Sequence, residues 1–579
     1  MSTITDNTIG SSGQSLASPR DAGADALRVR WLGSVPYTEA WDLQQRLFDG
    51  DLDHLLLCEH TPVYTLGRSG NEANVLVPPA DVGAELHRVN RGGDVTFHGP
   101  GQLVGYPVLS VPGRRGGGLA DTVAYVTAVE QLLIEAIGEL GLDPGRIAGS
   151  PGVWLDPDGP APRKVAAVGV RLSRGRSMHG FGLNVSVDLD WFRHIVPCGI
   201  ADKGVTSLAA EGVDATMEEV VDLVVAHAAA QLAPGRAVER QDVAWRHRPE
   251  DLAPFSRGAG GGDEPTSEAA GVPVRLRGRL AEAGVTGGLP ISDRKPSWMR
   301  VELQTGPDYL RLKKVARSLE LTTVCEEAGC PNIFDCWNEG TATFMLLGDR
   351  CTRACGFCLI DTRKPRGVDD GEPQRVADAV RDLGLDFAVL TMVARDDLDD
   401  GGAEIVARTV EAIRQTAPGA GVEVLISDLR GDPAALATVC ASGPDVVNHN
   451  IETVARLQRA VRPSAGYARS LATLARAKGH GSTTKSGVIV GMGETVAEVQ
   501  ATMADLAAVG VDIVTIGQYL RPTTNHLPLH RWWAPDEFAE LKAFGENTLG
   551  IAHVESSPLT RSSHHAGSAA TAATRRAAR

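Results

Sequence analysis

Residues 325–358 read CEEAGCPNIFDCWNEGTATFMLLGDRCTRACGFC and hold six of the chain's nine cysteines. They form two triplets: Cys325, Cys330 and Cys336, then Cys351, Cys355 and Cys358. The second triplet, C-x3-C-x2-C, is short enough to wrap three thiolates round one cubane iron–sulfur cluster, whereas a cluster held wholly by protein takes four cysteines. One iron then stays open, and an open iron is the kind of coordination site that Lewis-acid or redox chemistry requires. Two plainer uses of cysteine compete. Zinc favours paired C-x2-C knuckles or Cys/His sets, and this stretch has one C-x2-C and no histidine nearby. Disulfides need an oxidising compartment, and the polar amino terminus lacks the apolar core of a secretory signal. The apolar run TFMLL before the second triplet reads as a strand. It puts the cysteine loop at a strand's carboxyl end, where barrel-type sheets carry their chemistry.

The loop CTRACGFC resembles that of radical S-adenosylmethionine enzymes, and the whole stretch resembles lipoyl synthases. The likeness continues through TMVARDDLDDGGAE, VVNHNIETVARL, TKSGVIVGMGET, TIGQYLRPTTNHLPLHRW and PLTRSSHHA, over roughly residues 290–567. It implies that Cys351, Cys355 and Cys358 hold a [4Fe-4S] cluster whose open iron chelates S-adenosylmethionine. Reduction then yields a 5′-deoxyadenosyl radical, needed because no side-chain base can deprotonate an alkyl chain. It also implies a second, auxiliary [4Fe-4S] cluster on Cys325, Cys330, Cys336 and Ser563, which gives sulfur to C6 and C8 of an octanoyl chain. An alkoxide is a weaker anchor than a thiolate, as suits a cluster that comes apart. The family's RSSYHA has histidine in place of tyrosine here, His564, a competing donor beside Ser563. Thr391, Asp396, Asp397 and Gly402 are expected near the adenosylmethionine, the alternative for the acids being a capped, solvated helix start.

At 579 residues the chain is too long for one core. A hydrophobic fraction of 43% and a charged fraction of 22% describe ordinary globular protein. A net charge of −15 argues against a general nucleic-acid binder. No apolar run reaches the length of a membrane helix, so the expected location is cytoplasmic, with no membrane or nucleic-acid partner.

Residues 1–26 read as a disordered tail. After them the pattern predicts a strand at VRWL, a helix from Tyr37 to Phe48, strands at HLLLCEH, PVYTLG and LVGYPVLSV, a helix from Leu119 to Leu140, and strands at VAAVGVRL and GFGLNVSV. The block RGGDVTFHGPGQ lets backbone approach a bound group, although a glycine-rich hairpin with a surface histidine has the same composition. Lys164 stands at the start of an apolar strand and Cys198 in the turn-rich VPCGIADKGVTSL. A cysteine beside an amine can attack a thioester as thiolate, and a small buried thiol with an unrelated surface lysine is the plainer alternative. RGGDVTFHGPGQ, RKVAAVGVR, HGFGLNVS and PCGI together resemble lipoate-protein octanoyltransferases of the biotin/lipoate ligase fold, over roughly residues 27–245. The resemblance makes Cys198 the acyl-thioester nucleophile and Lys164 the group that keeps it a thiolate. The acyl pocket would be lined by Arg91, Gly92, Gly93, Asp94, Val95, Thr96, Phe97 and His98, by Ala167, Val168 and Gly169, and by Gly180, Phe181 and Gly182. The basic run Arg171–His179 is either a docking patch for an acidic carrier or a solvated loop.

The expected class is thus α/β multidomain. A biotin/lipoate ligase-like domain at 27–249 precedes a flexible linker at 250–293, where SRGAGGGDEPTSEAAG lacks periodicity. Such a coil keeps two sites near each other without fixing their orientation. A radical S-adenosylmethionine partial (β/α)6 barrel with cluster-binding extensions follows at 294–567, its strands at TFMLL, FAVLT, VEVLI, DVVNHN, SGVIVG and VDIVTIG, and a disordered tail at 568–579. The two resemblances imply octanoyl transfer from acyl carrier protein to lipoyl-accepting domains (2-oxoacid dehydrogenase E2 subunits and glycine cleavage H protein), then sulfur insertion with electrons from a ferredoxin or flavodoxin.

Overall fold

Strands in the first half form where β-branched, leucine and aromatic residues run between turn residues. The computed structural model describes residues 26–111, 121–197, 203–245, 279–299, 332, 336 and 340–577. Its first half contains β1 (Leu27–Val35), β2 (His54–His60), β3 (Val63–Leu66), β4 (Glu85–Arg88), β5 (Val95–His98), β6 (Gln102–Val108), β7 (Pro144–Ile147), β8 (Ser150–Leu155), β9 (Arg163–Ser173), β10 (Arg176–Asn184), β11 (Gly204–Val205) and β12 (Val238–Asp242). Its α-helices are α1 (Tyr37–Phe48), α2 (Thr122–Glu139) and α3 (Met217–Leu232). The main sheet runs β12-β1-β2-β6-β10-β9-β8-β7 with β11 beside β9, and β4-β3-β5 make a small second sheet. Strand alternation splits the main sheet into two faces. Leu55 and Leu57 meet Val129 and Leu133 of α2 and Val220 and Val224 of α3, while Leu56 between them faces α1 through Leu43 and Leu47. The carboxylate of Asp121 caps α2 by accepting from the Val123 and Ala124 amides, both at 3.1 Å. Thr216 and Glu219 cap α3 reciprocally.

In the second half seven strands pair in chain order, all parallel: β13 (Thr341–Leu346), β14 (Phe387–Met392), β15 (Gly421–Leu425), β16 (Val446–Asn448), β17 (Thr483–Val490), β18 (Ile513–Gln518) and β19 (His553–Ser556). Between successive strands lie α4 (Glu372–Leu383), α5 (Ala403–Thr416), α6 (Pro433–Ala441), α7 (Tyr467–Gly479), α8 (Val496–Ala508) and α9 (Pro535–Ala543), and α10 (Ala566–Ala577) follows β19. The six expected strands are all present, and β19 is a seventh that the sequence reading omitted. Between β15, β16 and β17 sits a polar knot. The Lys485 ammonium donates to Glu423 Oε2 at 2.9 Å, both side chains having no exposed surface, and Asn448 Nδ2 donates to Glu423 Oε1 at 2.7 Å.

Two expectations about the chain's connections are corrected. The tail at 568–579 was expected to be disordered, yet α10 is helical to Ala577, and Ala569 and Ala573, four residues apart, bury against Val446 and Ile513. Alanine needs little ordering entropy to form such a face. Of the expected linker, 250–278 lies outside the described residues, but 279–285 is not free coil: Leu280, Ala283 and Val285 are buried in the core shared with the second half. No helix among the described residues is long and apolar enough to cross a membrane.

Lys485→Met strands the Glu423 carboxylate in the interior, which costs about 3–5 kcal/mol where one partner of a buried pair is removed. The second half should therefore unfold at markedly lower urea, and adding Glu423→Leu should recover much of the loss.

Candidate active sites

The loop after β13 carries Cys351, Cys355 and Cys358 into a cavity of about 670 Å³ at the carboxyl ends of the strands, and all three line it. Two backbone amides point at one sulfur: those of Arg353 at 3.4 Å and Ala394 at 3.3 Å donate to Cys351 Sγ. The loop is clamped from behind. Gly356 N donates to Val461 O at 2.8 Å, Leu527 N to Gly356 O at 2.9 Å, and His526 Nε2 lies 2.9 Å from Cys358 O. A Cβ on Gly356 would come within 2.6 Å of the Leu527 side chain, so this position takes only glycine without a shift. Burial pushes the Cys355 thiol up to about 11, against the pull of Arg462, and the Cys358 thiol up to about 12. Three soft donors on one short loop, with amides aimed at a sulfur and a guanidinium beside them, fit an iron–sulfur cluster; metal binding displaces protons that burial would otherwise retain.

Arg353 braces the loop. Its guanidinium donates to both oxygens of Asp396 at 2.8 and 2.7 Å and to Asp428 Oδ1 at 2.6 Å. Burial alone would raise Asp428, but the Arg353 charge overcomes it and holds the carboxyl at about 2. Thr352 Oγ1 also donates to Asp396, at 2.9 Å. Asp397 pairs with Arg395 at 2.9 Å, and Asp400 caps the turn into α5 through the Gly402 and Glu404 amides. Among Thr391, Asp396, Asp397 and Gly402, only Thr391 lines the cavity. The two acids belong to arginine pairs, and Gly402 is the left-handed residue before α5.

Ser562 and Ser563 line the same cavity. Ser562 accepts from Asn448 at 2.9 Å and donates to Asn450 Oδ1 at 3.0 Å, so the Lys485–Glu423–Asn448 knot extends to the residue beside Ser563. A Cβ on Gly517 would lie 2.0 Å from Thr560 O, which is how closely this carboxyl-terminal turn crosses β18. Cys325 and Cys330 lie outside the described residues. Cys336 is buried, its amide donating to Asn332 O at 3.0 Å, and Asn332 Nδ2 donates to Leu559 O at 2.7 Å. The first triplet's segment is thus tied to the turn that bears Ser563. His564 stacks on His565 at 3.8 Å, and both gather with Glu555, their ligand atoms within 4.8 Å of one another.

In the first half, glycines let strands and turn come into backbone contact. A Cβ on Gly180 would meet Gly105 O at 2.1 Å, and one on Gly169 would meet Gly92 O at 3.1 Å. The Gly92 amide donates to Val170 O at 3.0 Å, bringing the RGG turn against β9, while Gly180–Gly182 pairs with Gly169–Ala167 across β10 and β9. Arg91 is anchored to Thr65 O at 2.6 Å, and His98 Nδ1 lies 2.7 Å from Gln102 Oε1. Burial lowers His98 to about 3, so its ring is neutral. Val95 and Phe97 turn away into a cluster with Tyr64 and Ile195, and Phe97 stacks on Trp191 at 4.9 Å. Asp94 is occupied by the Asn71 and Val95 amides and by Asn74. Lys164 is nine-tenths buried, its ammonium 3.1 Å from Pro151 O and 4.7 Å from the Trp154 ring centroid. Cys198 lies outside the described residues. On its carboxyl side Gly204 and Val205 pair with Arg163 and Lys164, so the chain leaving the cysteine segment runs along the lysine's own strand.

The basic run is largely consumed inside the fold. Arg176 is bound by Asp53, Ser110 and two carbonyls, and His179 is buried against Asn90. Arg174 remains at the surface, paired with Asp49. Sequence reading missed Arg353–Asp428, Arg462 and His526; the pattern R-x-C at Arg353–Cys355 offers a signal only for the first.

Family models match the chain in three places: lipoyl protein ligase A/B catalytic domain at residues 36–229, N-terminal domain of lipoyl synthase of the radical SAM family at 288–330, and the radical SAM superfamily at 345–506. The lipoyl synthase of Rubrobacter xylanophilus is 55% identical over 274 residues, 47% of this chain and 85% of that protein. The lipoyl synthase of Mycobacterium tuberculosis is 52% identical over 275 residues, 48% of this chain and 88% of that protein. Among solved structures, lipoate-protein ligase A bound with ATP is similar over 38% of this chain and 90% of its own, at 15% identity and a TM-score of 0.32.

A carboxyl held at about 2 contributes stability that is present above its unfolded value of about 3.9 and is lost as pH falls towards 2. Asp428→Asn should remove about 2–3 kcal/mol at neutral pH and flatten the acid limb of the unfolding curve between about pH 4 and 2.

Proposed function

Because the chain belongs, through its carboxyl-terminal half, to the lipoyl synthase family of radical S-adenosylmethionine enzymes, we propose that it is a bifunctional enzyme performing consecutive steps of lipoyl cofactor assembly. The amino-terminal half, a lipoyl protein ligase A/B catalytic domain, moves octanoyl from acyl carrier protein to a lysine of a lipoyl-accepting domain through a thioester on Cys198. The carboxyl-terminal half then places sulfur at C6 and C8 of that octanoyl chain. The observation that carries this reading is the cavity walled by Cys351, Cys355 and Cys358 on one side and Ser562–Ser563 on the other.

In the first step the Cys198 thiolate attacks the thioester carbonyl, and the carrier thiolate leaves with a proton. The acceptor lysine amine then attacks the enzyme thioester, losing a proton as the amide forms and Cys198 departs. Lys164, held by Pro151 O and Trp154, is the group that stabilises the thiolate and shuttles those protons. Gly92, Gly169 and Gly180, packed at backbone distance, form the wall proposed for the alkyl chain.

In the second half Cys351, Cys355 and Cys358 would hold one [4Fe-4S] cluster, and Cys325, Cys330, Cys336 and Ser563 the auxiliary one. The chemistry these groups supply, with S-adenosylmethionine, is hydrogen abstraction from unactivated C–H bonds followed by sulfur transfer. The protein's part is positional: Arg353 fixes the loop, the Arg353 and Ala394 amides stabilise Cys351 as thiolate, and the Asn448–Ser562 bond sets the turn carrying Ser563. Electrons come from a small redox protein of the ferredoxin or flavodoxin class, and the setting is the cytoplasm. The acceptors are lipoyl domains of 2-oxoacid dehydrogenases and the glycine cleavage H protein.

Cys198→Ala should abolish octanoyl transfer; unchanged transfer would remove the thioester mechanism. After anaerobic reconstitution the protein should hold about eight irons per chain, falling to about four in Cys355→Ala and in Cys330→Ala. About four irons in the unaltered protein, lost only in the Cys355 variant, would leave no sulfur source and end the sulfur-insertion reading.

A further inference from the structure

The face of the first half made by β1 and α1 is not solvent. Ala40, Leu43 and Leu47 of α1 join Leu471 and Leu474 of α7 and Val499, Met503 and Leu506 of α8 in one continuous apolar core. Across this seam Arg30 of β1 places its Nε 2.9 and 2.8 Å from the two oxygens of Asp505 on α8, with both side chains under 5% exposed. The Tyr467 hydroxyl donates to the same carboxylate at 2.8 Å. Glu39 accepts from Arg469 at 2.6 Å, Asp42 from Arg476 at 2.5 Å, and Arg46 donates to Val509 O at 3.0 Å. Gly510 has φ +85°, and a Cβ there would lie 2.1 Å from the Arg46 guanidinium. The interface thus combines a dry centre, a buried bidentate pair and a rim of polar contacts, the anatomy of a permanent association.

We infer that the two catalytic halves form one permanently docked body, held by the α1 face against α7 and α8 rather than by the chain that links them. The partner this face fits is the outer wall of the second half's own barrel. A flexible tether alone would leave Arg30 and Asp505 hydrated on separate surfaces; burying them is favourable only as a complete pair. Docking also reaches the second site. The loop that turns into α7 contributes Ser464 and Ala465 both to the cysteine cavity and to a second cavity of about 350 Å³ between the halves, whose walls include Val35 and Glu39 from one half and Arg459 and Arg469 from the other. Neither half swings during the reaction sequence, so the acylated acceptor itself must travel between two fixed sites.

The test uses the full chain with a site-specific protease sequence inserted between Gly260 and Gly261. After complete cutting, size-exclusion chromatography at about 10 µM should show a single species of the intact size in both 0.1 M and 1 M salt, because buried pairs are weakly screened. Elution as two separate halves would overturn the inference. Asp505→Arg, which sets two like charges against each other at the seam, should make the cut chain separate while iron per chain and far-ultraviolet circular dichroism stay unchanged. Undiminished co-elution of the cut Asp505→Arg chain would overturn the assignment of the contact to this face. As a milder variant that preserves the buried centre, Arg469→Ala/Arg476→Ala should weaken co-elution at least tenfold; no change would likewise count against the seam.

Discussion

Burial of three thiols at the end of a parallel sheet is the constraint that the second half answers. Cys355 and Cys358 are half-buried in the cavity wall, and that burial raises their thiols, so they hold their protons until a cation replaces them. The surrounding residues can be read as consequences. Backbone amides face Cys351, where a thiolate would otherwise be poorly solvated. Arg353 stands over the loop with two carboxylates to balance it, and His526 and Leu527 fix the loop's far end through its carbonyls. A loop of small and polar residues could not hold this shape by packing alone.

How much of this was legible depended on the range of the interaction. Hydrophobic periodicity located six strands of the second half because each is buried on both faces and reads as an apolar run. β19 escaped because its sequence, HVES, places charged residues at an edge, where one neighbour suffices. α3 carried a readable signal, Thr216 with Glu219 ahead of an apolar run, that the reading passed over. The cysteines were readable because their chemistry is local. Arg353 with Asp428, 75 residues apart, is a pair that only the fold creates. The basic run Arg171–His179 shows the opposite error. Its charges suggested a surface, but Arg176 and His179 sit on β10, a central strand buried along its whole length on both faces. The linker misled for a similar reason: the three residues among 279–285 that bury, Leu280, Ala283 and Val285, are too few to show a period, and they matter only because a neighbouring surface receives them.

The candidate sites of the two halves are built differently. In the first, Gly92, Gly169 and Gly180 let strands and turn pack at backbone distance, and the neutral His98 and His179 rings add polarity without charge. In the second, a cavity is walled by residues from most of the strands, among them the polar Arg353, Asn450, Glu452, Arg462 and Ser562, and the buried Lys485–Glu423–Asn448 bonds lie behind that wall.

The bond from Asn332 to Leu559 joins segments that lie before the first strand and after the last strand of the second half. A nascent chain emerges amino terminus first and folds as it emerges. The three-cysteine loop is therefore clamped only after Val461, His526 and Leu527 have joined it, and the turn bearing Ser562 and Ser563 follows later still in the chain. A chain truncated before Ser562 would thus keep the residues that brace the Cys351–Cys358 loop and lose the turn that Asn448 and Asn450 hold against the same cavity.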